Sequence, residues 1–187
     1  MAKVLIVKSS HRKGSNSSLL AGKVAEGARA AGHEVQVVDI SRMRIEPCRG
    51  CDACRKGGKG CVVQDEMQPL YPLVREAEVI IYASPIYWFN MCGQLKQFID
   101  RCYAVAAGAE PGAPSPFASK KLGAVLAFGD DDPYLSGGVN ALRSFQDTAA
   151  YCGADWAGAV YGAAYDENEL AGNAALLEQA FEYGKKL

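Results

Sequence analysis

Ser9-Ser10-His11-Arg12-Lys13-Gly14-Ser15-Asn16-Ser17 opens where a short apolar run ends and closes where a helical pattern begins. The run before it, Lys3-Val4-Leu5-Ile6-Val7-Lys8, has the β-branched character of a parallel strand buried on both faces. After it, Leu20, Val24, Ala28 and Ala31 recur on one face at helical spacing. Four serines, an asparagine, a glycine and two cations lie between the two elements. A phosphomonoester at a helix N-terminus is held by unpaired backbone N–H groups, short hydroxyl side chains and the positive end of the helix dipole. The loop carries neither G-x-x-x-x-G-K-[ST] nor G-x-G-x-x-G, which sets aside a P-loop ATPase and a dinucleotide fingerprint. A hydroxyl-rich loop without close glycine spacing suits a terminal phosphate better than a pyrophosphate, which points to a mononucleotide. The same Ser and Asn residues are also favoured helix N-caps, and capping alone is the rival reading.

Further along, Glu34 to Asp39 reads as a second strand and Ser41 to Gln64 as a long irregular segment, which in a compact chain is usually functional. Asp65 and Gln68 suggest a capping box for a short helix that Pro69 and Pro72 confine to the stretch ending near Glu76. A third strand, Glu78 to Ala83, runs into Ser84-Pro85, where Pro85 is expected to stop it. A helix with Leu95, Phe98, Ile99 and Cys102 on one face follows, then a Gly/Pro/Ala-rich surface loop from Ala106 to Pro116. A fourth strand, Leu122 to Phe128, ends in the acidic turn Gly129-Asp130-Asp131-Asp132-Pro133. The spacing predicts a helix over Gly138 to Tyr151, a fifth strand over Trp156 to Tyr161, and a last helix using Leu170, Ala174, Leu177 and Phe181.

Strand and helix alternating five times predict an α/β three-layer sandwich: a five-stranded parallel sheet in order 2-1-3-4-5 with helices on both faces. In that order the ligand crevice lies at the carboxyl ends of strands one and three, which brings Ser9 to Ser17 beside Ser84 to Asn90. The second loop offers backbone at Pro85 and Ile86 and apolar faces at Tyr87, Trp88 and Phe89, suited to a planar heteroaromatic ring. Three consecutive aromatics cannot all enter a core from one loop, so at least one is expected to face a ligand or a partner subunit.

At 187 residues the chain is expected to form one domain, 1–187, with a Cys-rich insertion at about 45–64. A net charge of −1, with 22% charged residues, offers no basic surface for nucleic acid. The chain enters a strand almost directly and carries no apolar run of membrane-spanning length, so no membrane association and a cytoplasmic location are expected. Seven cysteines, four within one short segment, argue for ligands or redox groups rather than a disulfide framework. Cys48, Cys51, Cys54 and Cys61 read C-x2-C-x2-C-x6-C, and two-residue gaps let thiolates converge on one face of a compact loop, as an iron–sulfur cluster requires. A four-thiolate zinc site, a redox-active dithiol and a metal-free loop are the competing readings. Cys92, Cys102 and Cys152 are expected in the core, His33 is expected to be solvated, and neither of the two histidines has an adjacent nucleophile.

Together these stretches resemble the flavodoxin-like NADPH-dependent FMN reductases and, within them, the iron–sulfur flavoproteins. Ser9 to Ser17 resembles the family pattern G-S-P-R-x-x-G-N-T, with His11 in place of the usual proline. Ser84-Pro85-Ile86-Tyr87 resembles S-P-[IV]-Y, and Gly93 to Arg101 continues in the family's manner. The motif resemblance covers about the first 105 residues and the rest by fold only. It implies FMN, with Ser10, Arg12, Ser15, Asn16 and Ser17 around the phosphate and Pro85, Ile86, Tyr87, Trp88, Phe89 and Asn90 along the isoalloxazine. The third flavin loop of the family falls at Gly129 to Asp132, which reads here as a solvated acidic turn. The cysteine motif resembles the one that holds a [4Fe–4S] cluster near FMN in the iron–sulfur flavoproteins.

The implied activity is an FMN-dependent oxidoreductase. NADPH or NADH would stack beside Tyr87 and Trp88 and reduce the flavin, which then passes electrons to a small-molecule or protein acceptor, directly or through the cluster. No catalytic side chain is required. The rival classes are a non-enzymatic electron carrier or redox sensor, and a flavin-free module that keeps only the fold. A homodimer or homotetramer is implied by the resemblance.

Overall fold

A computed structural model describes residues 1–56, 60–106 and 114–187. The expected surface loop at 106–116 and the cysteine segment therefore lie partly outside the described residues.

Five strands pair in parallel: β1 (Lys3–Lys8), β2 (Glu34–Asp39), β3 (Val79–Tyr87), β5 (Lys121–Phe128) and β6 (Asp155–Ala163). Their order is β2-β1-β3-β5-β6, which is 2-1-3-4-5 once β4 (Asn90–Met91), a short antiparallel return on β3, is set aside. Successive side chains on a strand point to opposite faces, and the central strands serve two cores. Leu5, Val7, Ile80, Tyr82, Leu122 and Leu126 pack under α3 (Leu70–Glu76), α4 (Gly93–Ala106) and α5 (Gly138–Cys152). Val4, Ile6, Ile81, Val125 and Val160 pack against α1 (Asn16–Ala30) and α6 (Ala174–Lys185). The apolar runs are nearly continuous because both faces are covered.

Two glycines set the approach of α1 to α6. A Cβ on Gly27 would stand 1.9 Å from the Phe181 carbonyl oxygen, and one on Gly184 would stand 2.1 Å from the Val24 carbonyl oxygen. With Gly184 committed to that contact, the buried face of α6 runs through Leu176 and Ala180, one residue away from the predicted Leu177 and Phe181. The Asn173 side chain caps this helix by accepting from Leu176 N–H at 3.0 Å, and a separate 3-10 turn (Glu169–Gly172) precedes it.

Three other expectations are corrected. Pro85 does not stop β3, which continues to Tyr87, with Pro85 opposite Ala127. The β1 partner has already ended at Ala83, so Pro85 lies where β3 has an open side and a missing N–H is tolerated. Asp65 and Gln68 form no capping box: α3 starts at Leu70, and both side chains are engaged with the cysteine segment instead. His33 is half-buried rather than solvated, its Nδ1 accepting from the Ala2 N–H at 3.1 Å. Cys92, Cys102 and Cys152 are buried, as the sequence led us to expect. Among the described residues no helix is long and apolar enough to cross a membrane.

Candidate active site at the carboxyl edge of the sheet

The end of β1 is tied to the end of β3 before any side chain reaches a ligand. Ser9 Oγ donates to the Ala83 carbonyl at 2.8 Å, and Cys92 Sγ donates to Ser9 Oγ at 3.1 Å. The Cys92 N–H donates to Ser84 Oγ at 3.0 Å, which fixes the start of α4 behind both loops. These bonds hold the two predicted loops as neighbours, and a cavity of about 230 Å³ opens between them.

One end of the cavity is polar. Ser10, Arg12, Ser15, Asn16 and Ser17 line it, and the three serine side chains are buried while Arg12 is exposed. Ser15 is the N-cap of α1: its hydroxyl accepts from Ser18 N–H at 3.3 Å and lies 3.0 Å from Ser17 Oγ. Capping and anion cradling are therefore compatible, because a hydroxyl that accepts from the backbone still has its own proton to donate. Asn16 borders the cavity, but its amide is used elsewhere. It donates to the Asp166 carbonyl at 2.8 Å and accepts from Leu170 N–H at 3.1 Å, tying the loop to the segment after β6. Gly14 takes part in the same seam, its carbonyl accepting from Asn168 N–H at 2.8 Å.

The other end is apolar. Pro85, Ile86 and Tyr87 form one wall, and Ala127, Phe128 and Gly129 at the end of β5 form another. Tyr165, just past β6, also borders the cavity and is mostly exposed. Gly129 opens the turn that the resemblance placed at the third flavin loop, whereas Ala164 and Tyr165 escaped the sequence reading because no local motif marks them. The rule that ligands lie outside the carboxyl ends of the strands would have found them. Gly129 borders the cavity, while the acidic side chains beyond it bond their own turn, with Asp132 Oδ1 accepting from Tyr134 N–H at 2.7 Å.

Trp88, Phe89 and Asn90 do not line the cavity. Trp88 and Phe89 are the two central residues of the β3–β4 hairpin and both adopt positive φ, 48° and 66°. A type I′ turn requires this, and it is costly for side chains other than Gly, Asn or Asp. The turn is braced by the start of α5: Asn140 Nδ2 donates to the Phe89 carbonyl at 3.1 Å. A Cβ on Gly137 would stand 2.3 Å from Phe89 Cα. Trp88 is left 93% exposed.

A second concavity lies over α4. Cys48, Cys51, Cys54 and Cys61 all border it, with Asp100, Arg101 and Tyr103 supplied by the helix. Among the described residues no three potential metal ligands stand close enough to hold an ion, so the four thiols share one hollow without converging on a point. Their surroundings are unequal. Burial pushes the Cys54 thiol up, and the Cys61, Cys48 and Cys51 charges add to that shift. Burial also opposes ionisation of Cys61, but hydrogen bonds from Tyr71 and the Val63 N–H, with the Arg101 charge, outweigh it and hold that thiol below its ordinary value. Four soft thiols in one hollow are a donor set that suits an iron–sulfur cluster or zinc, although Asp52 and Asp100 also border it.

Known proteins give this geometry a context. The chain matches the profile of the NADPH-dependent FMN reductase family over residues 2–165. It is 36% identical over 128 residues to an iron–sulfur flavoprotein of Methanosarcina thermophila, covering 68% of this chain but only 63% of that protein's length. It is 27% identical over 162 residues to a Bacillus subtilis protein described as an NAD(P)H-dependent FMN-containing oxidoreductase, covering 86% and 84% of the two chains. Among solved structures, NAD(P)H:quinone oxidoreductase from Methanothermobacter marburgensis superposes with a TM-score of 0.75 at 17% identity, covering 98% of this chain and 96% of that one. A WrbA-like flavodoxin from Agrobacterium tumefaciens gives 0.66 at 17% identity, with 100% and 94% covered. These two likenesses establish the flavodoxin-like fold. The family match covers both loops of the cavity and the cysteine segment, and the chain belongs to the NADPH-dependent FMN reductase family.

Proposed function

We propose that the cavity holds FMN and that the protein is an NAD(P)H-dependent oxidoreductase delivering electrons to a small-molecule or protein acceptor. The observation that carries this reading is the division of the cavity into a hydroxyl-rich cationic end at a helix N-terminus and an apolar end walled by Phe128 and Tyr87. The donors of the polar end carry no carboxylate among them, which suits a dianionic phosphate. Bound FMN supplies two-electron reduction by the nicotinamide and release of electrons singly or in pairs.

The chain's own residues bind and orient. Ser10, Ser15, Ser17 and the α1 N-terminus hold the phosphate, with the Arg12 guanidinium at the rim neutralising it. Pro85, Ile86 and Phe128 would flank the ring system, and Tyr87 and Tyr165, both exposed, would border the side from which a nicotinamide approaches. The cavity lining among the described residues holds no histidine or carboxylate, and its titratable side chains are Arg12, Tyr87 and Tyr165. The exposed Trp88–Phe89 turn next to Tyr87 supports a homo-oligomer in which a second copy covers it.

Cys48, Cys51, Cys54 and Cys61 are the thiols that would hold a [4Fe–4S] cluster, a one-electron relay between flavin and acceptor. The C-x2-C-x2-C-x6-C spacing and the shared hollow favour this over a lone dithiol, which leaves two thiols unexplained.

The test is an anaerobic visible spectrum of the purified protein, with iron and zinc counted, before and after NADPH. Flavin bands that bleach on mixing, with about four irons per chain, are expected. Flavin that NADPH does not bleach sinks the reductase, and zinc at one per chain sinks the cluster.

A further inference from the structure

The flavin-side cavity and the four-thiol hollow are served by one helix. α4 begins directly after Cys92, which is bonded to Ser9 and Ser84 behind the cavity. Eight residues later the helix carries Arg101, about 12 Å farther along at the usual rise per residue. The Arg101 side chain is only 1% exposed.

Its donors are spent on the ends of the cysteine segment. Nη1 donates to the Glu46 carbonyl at 2.8 Å and to Asp65 Oδ2 at 2.6 Å. Nη2 donates to Asp65 Oδ1 at 3.1 Å and to the Val63 carbonyl at 3.4 Å, and Nε donates to Tyr71 Oη at 3.1 Å. Glu46 precedes the first cysteine of the motif, and Val63 and Asp65 follow the last. One planar guanidinium thus closes both ends of the loop, which a lysine's point charge cannot do. Asp65 completes the closure by accepting from the Glu46 N–H at 2.8 Å, and Gln68 Nε2 donates to the Cys61 carbonyl at 3.1 Å.

Between these anchors the described residues add few other contacts: Arg55 Nη1 donates to Tyr103 Oη at 3.3 Å, and Cys61 packs against the core. Cys48, Arg49, Gly50 and Cys51 are exposed, and the one-turn helix α2 (Ala53–Lys56) buries no residue. A segment that buries so little of its own surface depends heavily on its anchored ends for order. Burying a charged pair is a costly way to stabilise a fold that apolar side chains would serve as well. Here the pair is placed where directional bonds to loop backbone are needed.

We propose that Arg101, seated on Asp65, is the positioning residue of the four-thiol site: it holds Cys48, Cys51, Cys54 and Cys61 over α4 in the metal-free chain, ready for cluster assembly. The cluster half of this proposal rests on the reading of those thiols as iron ligands. The loop-ordering half does not.

The experiment uses full-length, FMN-loaded protein as wild type, Arg101→Met, Arg101→Lys, and the double variant Arg101→Met with Asp65→Asn, which leaves no unpaired buried carboxylate if the single change misfolds. The first readout is amide hydrogen exchange of the metal-free proteins. Exchange at 60–67 is expected to rise by about 10–100-fold in the Met variants, the equivalent of losing hydrogen bonds to a charged group, with α1 and the sheet unchanged. The second is anaerobic reconstitution with ferrous iron and sulfide. The Met variants are expected to lose the broad visible absorption of the cluster while keeping one FMN per chain, and Arg101→Lys to recover part of it. A double variant that exchanges 60–67 at the wild-type rate, or assembles the cluster in wild-type yield, overturns the proposal. Wild type that takes up no iron while its loop still depends on Arg101 overturns the cluster reading and supports the positioning role.

Discussion

Ser15 offers the sharpest single-residue test, because the choice of substituent can separate capping from phosphate binding. Its hydroxyl accepts from Ser18 N–H at 3.3 Å and faces the cavity beside Ser17. Ser15→Ala removes both functions. Loss of the cap costs about 1 kcal/mol, or roughly 2–4 °C in the Tm of the flavin-free protein. Loss of a hydrogen bond to a dianion costs about 1.5–3 kcal/mol, which raises the Kd for FMN roughly 10–150-fold. Ser15→Asp separates the two roles. Aspartate is as good an N-cap as serine and adds a favourable charge at the helix N-terminus, so the flavin-free Tm is expected to hold or rise. The same carboxylate then faces the phosphate. At about 4 Å and an effective dielectric of about 20, each pair of unit charges repels by about 4 kcal/mol, so FMN affinity is expected to fall at least about 1000-fold. Thermal melts without flavin and fluorescence titration with FMN read the two effects independently. The reasoning is refuted if Ser15→Asp binds FMN within a few-fold of wild type, or weakens binding no more than Ser15→Ala does.

Other regions answer to simpler measurements. Gly27→Ala and Gly184→Ala each force a methyl against a facing carbonyl at about 2 Å, and each should cost about 1–3 kcal/mol in urea denaturation. A neutral result would mean that α1 and α6 can separate freely. Replacing Trp88 by Asn together with Phe89 by Gly installs the residues a type I′ turn prefers, and should raise stability by about 1–2 kcal/mol. If the oligomer reading holds, sedimentation of that variant should show smaller species. Asp65 supplies a pH signature. Burial opposes its ionisation, but Arg101 and the Glu46 and Met67 N–H groups hold its carboxyl below the usual carboxylate range. A depressed native pKa contributes stability that is complete above the unfolded value, about 3.9, and is lost as the pH falls through the lower native value. The urea midpoint gap between wild type and Asp65→Asn should therefore be constant from about pH 7 to pH 5 and narrow below about pH 4. A gap that widens on acidification contradicts the assignment.

What the sequence made legible was local. The strand, hydroxyl loop and helix from Lys3 to Ala30 are set by neighbouring residues, and the doubly wound order then puts that loop beside Pro85. The far wall of the cavity was only partly legible: Gly129 fell in the turn matched to the family's third flavin loop but read as solvated, while Ala164 and Tyr165 carry no motif and reach the wall only because β5 and β6 end at the same edge. Asn16 borders the cavity, and its side-chain amide also ties the loop to Asp166 and Leu170, a link 150 or more positions away that no local pattern marks. Arg101 sat in a family-like run with no sign of its role, because charged helix residues are usually solvated and its acceptors lie 30 to 55 positions away. Pro85 misled because a proline ends most strands but not one whose neighbour has already stopped.

The central claim is that Ser10 to Ser17 grips a phosphate while the walls at Tyr87 and Phe128 accept a ring. Titration of flavin-free protein with FMN and, separately, with riboflavin isolates it, since the two ligands share the ring and differ only in the phosphate. Several charge-assisted hydrogen bonds at about 1.5–3 kcal/mol each imply that FMN binds at least about 1000-fold more tightly than riboflavin. Equal affinities for the two would show that the loop caps its helix and holds nothing.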